Sequence, residues 1–191
     1  MKRLSCWMIL FSFIGPACFA DPFVQTLDAV GLAGTYSLEG TTSTNRNVSL
    51  SGFGSYQGQV DLGFKNHFRA SVGVNYLISN GFSGDTAWGF NFGFKYFPFS
   101  WNGAKVQSLN NVQWSFVDQF RPYVGITLKT LQFTTVLASS YNGFGVNGGC
   151  HYTLNDRFYL IGEGQYNTLT GNSKNSLNEV GILFGLGVSL K

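Results

Sequence analysis

Charge is scarce in this chain. Asp, Glu, Lys and Arg make up 11% of its 191 residues, against about 25% in an ordinary soluble domain. A water-facing surface of the usual kind cannot be built from so few. The formal net charge of +3 is small and scattered, which excludes a nucleic-acid footprint. Proline occurs 4 times, too rarely for a collagen-like or polyproline chain. No run of 18 apolar residues occurs, so no transmembrane helix is expected. Cysteine occurs 3 times, and Cys6 and Cys18 stand close to the N-terminus.

What the chain has instead is glycine (25), phenylalanine (19) and a 44% hydrophobic content. That is too apolar for disorder, and the length suits one domain. Residues 1–20 read as an export signal. Lys2 and Arg3 precede the short apolar run Leu4–Ile14, then Gly15-Pro16 breaks it. Cys18 and Ala20 supply small residues at −3 and −1 of a cleavage site. An uncleaved anchor, or lipidation at Cys18, is the alternative. Cleavage leaves Cys150 alone, so an intramolecular disulfide or a cysteine metal cluster is not expected. It also removes Lys2 and Arg3, taking the formal charge from +3 to about +1.

The rest alternates with period 2 in eight windows: 29–39, 56–65, 68–79, 86–98, 121–130, 141–154, 157–168 and 179–190. In 86–98 one face is Trp88, Phe90, Phe92, Phe94 and Tyr96; the other carries Gly89, Asn91, Gly93 and Lys95. In 29–39 Val30, Leu32, Gly34, Tyr36 and Leu38 oppose Ala29, Gly31, Ala33, Thr35, Ser37 and Glu39. A soluble barrel would turn its apolar face inward and carry many charges outside. Here the polar faces are Gly, Ser, Thr, Asn and Gln with about one charge per strand, which suits a crowded lumen. The bulky face therefore meets lipid in every strand. A bilayer admits only helices or closed barrels. The expected fold is all-β: an eight-stranded antiparallel up-and-down transmembrane β-barrel over residues 29–191, after a periplasmic segment at 21–28.

Short turns at Asn66-His67 and Asn155-Asp156 would face the periplasm with both termini. The connections at 40–55, 80–85, 131–140 and 169–178 would then face outward. Residues 99–120 misfit as a periplasmic turn. Val106–Leu109 and Val112–Phe116 around Asn110-Asn111 suggest a small hairpin extending the strands beyond the membrane. An interfacial segment using Trp101, Trp114 and Phe116, or a ten-stranded barrel, is the alternative.

The hairpin from Gly148 to Leu160 through Asn155-Asp156, and the strand start Arg121-Pro122-Tyr123-Val124-Gly125, resemble the small bacterial outer-membrane barrels of the OmpA-like and opacity-protein type. The resemblance spans essentially all of 29–191. It implies a Gram-negative outer-membrane location and insertion by the barrel-assembly machinery. The chain departs from that family in ending on Ser189-Leu190-Lys191, with Phe184 its last aromatic residue.

Chemistry-bearing residues are few. His67 and His151 lack a neighbouring nucleophile in the pattern that acyl transfer needs, so no catalytic, cofactor or metal residues are assigned. Asp61, Arg69, Lys95, Lys129 and Glu163 fall on lumen faces, where charge is costly unless paired; they are expected to form a charge network. Tyr36, Tyr56, Tyr76, Trp88, Tyr96, Tyr152 and Tyr166 are expected to form interfacial girdles. The function expected is a non-enzymatic, monomeric outer-membrane barrel without a cofactor. It would display polar loops for envelope integrity or for contact with a surface ligand or host molecule. The alternatives are a narrow low-conductance pore and a lipid-modifying enzyme. Its partners would be outer-membrane lipids and, during biogenesis, the assembly machinery.

Overall fold

The computed structural model describes residues 26–41, 47–64, 67–79, 86–98, 105–109, 112–116, 119–134, 140–171 and 175–190. The export signal at 1–20, Asn66, Asn110-Asn111, Trp101 and much of the inter-strand loops lie outside the described residues.

Ten strands follow in chain order: β1 (Thr26–Thr41), β2 (Asn47–Phe64), β3 (Phe68–Ser79), β4 (Thr86–Tyr96), β5 (Lys105–Leu109), β6 (Val112–Phe116), β7 (Phe120–Phe133), β8 (Ser140–Thr153), β9 (Phe158–Gly171) and β10 (Ser176–Ser189). Eight of them close a barrel in the order β1-β10-β9-β8-β7-β4-β3-β2, every pair antiparallel. Closure leaves no unpaired edge. Among the described residues β5 and β6 pair only with each other. The long connection at 99–120 thus carries a separate hairpin that extends neither β4 nor β7, and the barrel has eight strands rather than ten.

Thr26 and Ser189 mark one end of the barrel, called here the near end. The β8–β9 turn there is fixed by Asn155, whose Oδ1 accepts from the backbone N–H groups of Arg157 (2.9 Å) and Phe158 (2.8 Å); this side-chain mimic of a backbone turn is why Asn-Asp reverses the chain. The far-end connection at 80–85 is as the sequence suggested, and the other three are shorter. Pairing runs through Thr41↔Asn47 and to Phe133, Gly171 and Ser176. β1 likewise starts at Thr26, so Asp28 is a barrel residue and not part of a leading segment.

The outer face is apolar: Phe92 (51% exposed), Leu128 (63%) and Phe144 (68%) are typical. Its one charged side chain on the described strands is Glu39, near the far rim of β1. Such a continuous apolar wall far exceeds what a water-soluble monomer tolerates. The lumen is its inverse. Asp61, Lys95, Lys129, Glu163 and Glu179 are all buried there.

One strand breaks the expected rule. In β1 the bulky face, Val30, Leu32, Tyr36 and Leu38, points inward, and Gly31, Ala33 and Thr35 point outward. The reason lies on the neighbouring strand. β10 presents Gly181, Gly185 and Gly187 to the lumen. A Cβ on Gly181 would stand 2.1 Å from Tyr36 Cε1, and one on Gly185 would stand 2.7 Å from Leu32 Cδ2. Large residues of β1 fill the volume that β10 leaves empty, as close packing requires. A β-bulge at Gly52, opposite Tyr36 and Ser37, completes the turn of register; its φ of +87° is open to glycine at little cost.

Candidate functional site

The lumen is the chemically distinctive part of the molecule. Its far end is apolar. Leu38, Phe53, Leu77, Ala87, Leu131, Phe133, Tyr141, Leu169 and Leu177 sit within a few residues of the strand ends there, all buried and all inward.

Below this layer the charges pair. Lys129 Nζ lies 2.6 Å from Glu179 Oε1, and Asn167 Nδ2 donates to Glu179 Oε2 at 3.1 Å. The same ammonium lies 4.4 Å from the centre of the Tyr36 ring, a cation–π contact that strengthens out of water. Deeper, Lys95 Nζ faces two carboxylates, Asp61 at 3.2 Å and Glu163 at 3.7 Å. Tyr123 donates its hydroxyl to Glu163 and Gln165 donates an amide hydrogen to the other Glu163 oxygen. Gln59 Nε2 donates to Asp61 at 3.1 Å. At the near end Arg69 pairs with Asp28, and Tyr159 donates to the same Asp28 oxygen at 2.9 Å.

Tyr36 joins the two upper units. Its hydroxyl donates to Gln165 Oε1 at 2.5 Å and accepts from Gln57 Nε2 at 2.6 Å. The described lumen holds four carboxylates, Asp28, Asp61, Glu163 and Glu179, against Arg69, Lys95, Arg121 and Lys129. Their formal charges cancel, which is how a narrow low-dielectric interior keeps ions.

Phe97 closes the near end. Its ring is buried, with the Arg121 and Arg69 guanidiniums at 4.8 Å and 5.3 Å. Its backbone N–H donates to the His67 carbonyl at 2.7 Å, and its own carbonyl accepts from His67 Nδ1 at 2.8 Å. His151 packs beside it, stacked on Tyr159 with 4.6 Å between ring centres. Among the described residues neither His151 ring nitrogen finds a hydrogen-bond partner, and the ring packs against Phe97, Tyr123 and Tyr159.

No family model and no curated protein sequence matches the chain. Solved structures do. Neisserial surface protein A aligns with TM-score 0.54 at 14% identity, over 84% of this chain and 96% of that one. The N-terminal β-barrel domain of Pseudomonas aeruginosa OprF aligns with TM-score 0.50 at 11% identity, over 87% of this chain and 100% of that one. The chain has the fold of the small outer-membrane barrels of the OmpA-like and opacity-protein type.

Within this outer-membrane-type barrel all five sequence-selected charges, Asp61, Arg69, Lys95, Lys129 and Glu163, face the lumen. They do not make one set. Asp61, Lys95 and Glu163 meet directly, whereas Arg69 and Lys129 each take a partner the sequence reading omitted. Glu179 was legible, since it alternates onto the polar face of the last strand. Asp28 lies one residue before the alternating window that begins at Ala29, so pattern alone leaves it outside the strand.

Of the seven aromatics, Tyr56, Tyr76, Trp88, Tyr96, Tyr152 and Tyr166 stand on the outer wall of the barrel. Tyr36 does not. It is 1% exposed and belongs to the lumen network, because β1 turns its bulky face inward.

Proposed function

We propose that the protein is a non-enzymatic, non-conducting barrel of the bacterial outer membrane. Both termini and the β5–β6 hairpin lie on the periplasmic side, and the far end faces outward. The observation that carries this reading is the double closure of the lumen. An apolar layer at the far end and Phe97 at the near end enclose charges that are paired and balanced. Ion passage would require wetting the first and displacing the second. A rigid, sealed barrel is suited to holding elements at a surface. Neisserial surface protein A, a surface protein of the same fold, is in line with that use.

The β1–β2 arm is the element best placed for contact. Residues 47–51 of β2 pair with β1 alone, beyond the last β2–β3 pair at Phe53↔Ser79. The arm therefore projects past the described end of β3, and in sequence its two strands are joined by Thr42-Ser43-Thr44-Asn45-Arg46. It serves envelope integrity or binding of a surface ligand or host molecule. Two measurements test the reading. In planar bilayers the purified barrel should show negligible conductance; steady single-channel steps would refute the sealed scaffold. Replacing 42–46 by glycine and serine should abolish surface binding or sensitise cells to detergent while leaving the barrel folded. A variant indistinguishable from wild type in both assays would rule out the arm.

A further inference from the structure

The inward turn of β1 has a consequence on the opposite side. To the bilayer β1 presents Gly31 and Ala33, and the adjacent β2 adds Gly58. These three floor a hollow of about 680 Å³ in the outer wall. Phe184 bounds it on β10, and Tyr56, Tyr76, Trp88 and Phe90 bound it on β2, β3 and β4.

The hollow runs obliquely. Trp88 is two residues from the far-end start of β4, whereas Phe184 lies in the middle of β10. It thus opens near the far membrane boundary and ends near mid-depth. The lining is almost entirely apolar and contains no Asp, Glu, Lys or Arg. Tyr56, Tyr76 and Trp88 stand on its far-end side, and Gln57 and Asn75 also line it. Interfacial Tyr and Trp suit that position.

We propose that this hollow is a binding site for one acyl chain of a phospholipid. The chain lies along Gly31, Ala33 and Gly58 toward Phe184, and the ester and headgroup region meets Tyr76 and Trp88. Three observations select this occupant. The cavity lies in the hydrocarbon-facing wall, which excludes a water-borne ligand. Its ends match an amphiphile, with the amphipathic Tyr76 and Trp88 toward the far end and Phe184 toward mid-depth. Among the described lining residues none is cationic, which disfavours a multiply phosphorylated glycolipid, whose headgroup asks for Lys or Arg. Affinity there comes from van der Waals packing against the walls, since hydrocarbon gains no hydrophobic energy by moving from lipid to protein.

The glycine floor supplies a clean test. A Cβ on Gly31 meets nothing within 4 Å, and one on Gly58 meets only Val74 Cγ2 at 3.9 Å. The double variant Gly31→Leu/Gly58→Leu therefore projects two side chains into the hollow from positions where the Cβ meets no close contact. Gly148→Leu, on the outer face of β8 and with its Cβ no closer than 3.7 Å to any atom, is the control. Each full-length protein is reconstituted with phosphatidylethanolamine and an acylated, phosphorylated glycolipid. It is extracted in mild detergent and examined by native mass spectrometry, with heat-modifiable migration reporting the fold. Wild type and Gly148→Leu should retain a single phospholipid adduct, and the filled variant should lose it by about tenfold. Equal adducts in all three folded proteins, no adduct on wild type, or retention of the glycolipid instead would each overturn the proposal. If the filled variant does not migrate as a folded barrel, Trp88 of wild type decides. Phospholipid brominated along its acyl chains should quench it in detergent at near-stoichiometric ratio, and quenching that only tracks bulk lipid would overturn the site.

Discussion

Lys129 Nζ stands 2.6 Å from Glu179 Oε1, and both groups are buried beneath the aliphatic layer that closes the far end of the lumen. A pair so enclosed is strongly coupled. Removing one partner strands a charge away from water, which typically costs about 3–5 kcal/mol. Glu179→Gln is therefore expected to lower unfolding free energy by about that much in urea titrations of the micelle-bound barrel. The double variant Glu179→Gln/Lys129→Met should recover most of the loss. Equal instability of the single and double variants would show that the ion pair is not what matters there.

Tyr36 separates a lumen residue from a girdle residue. Tyr36→Phe removes a hydroxyl that donates to Gln165 and accepts from Gln57, leaving two buried amides without that partner. The expected destabilisation is about 1–3 kcal/mol. Tyr166→Phe, on the outer wall, should change unfolding by less than about 0.5 kcal/mol. Similar effects at both positions would argue against the inward placement of β1.

Glycine substitutions should sort by face. Gly181→Ala drives a methyl group to 2.1 Å from Tyr36, an overpacking expected to cost about 1–3 kcal/mol or more. Gly31→Ala, with open space at its Cβ, should leave the barrel's heat-modifiable migration and urea midpoint unchanged. The pair of midpoints is the readout.

The β5–β6 hairpin pairs only with itself. Replacing residues 105–116 by a short Gly-Ser linker should therefore preserve the heat-modifiable barrel and its sheet signature in circular dichroism. Loss of the folded form would show that the hairpin contributes to closure.

The layer of Leu77, Leu131 and Leu169 makes a further prediction. Leu169→Ala deletes a fully buried side chain and should cost about 2–5 kcal/mol in the same unfolding assay. Exposed Leu160→Ala, facing the membrane, is the comparison and should cost much less.

Much of this molecule was readable from local pattern. The run Trp88, Phe90, Phe92, Phe94 and Tyr96 gave both a strand and its outer face, because side chains alternate across a strand wherever it lies. Asn155 gave a turn, because its side chain bonds to the backbone a few residues away. Lys95 and Asp61 were placed in one lumen because both fall on glycine- and amide-rich faces. The hairpin within 99–120 was visible as two short apolar segments, but its separation from the barrel was not, since pairing partners are not encoded in spacing.

Sequence alone determined where most of the strands lie and which residues share a face, but not whether eight or ten of them close the barrel, because period 2 is a property of the chain segment itself and pairing is not. It did not determine which face of β1 turns inward. Nor did it determine that Arg69 meets Asp28, that Lys129 meets Glu179, or that a hollow opens over Gly31. Those were decided only on closure, when the glycines of β10 left lumen volume for Leu32 and Tyr36. Packing density is a condition on neighbouring strands together, and no single strand carries it.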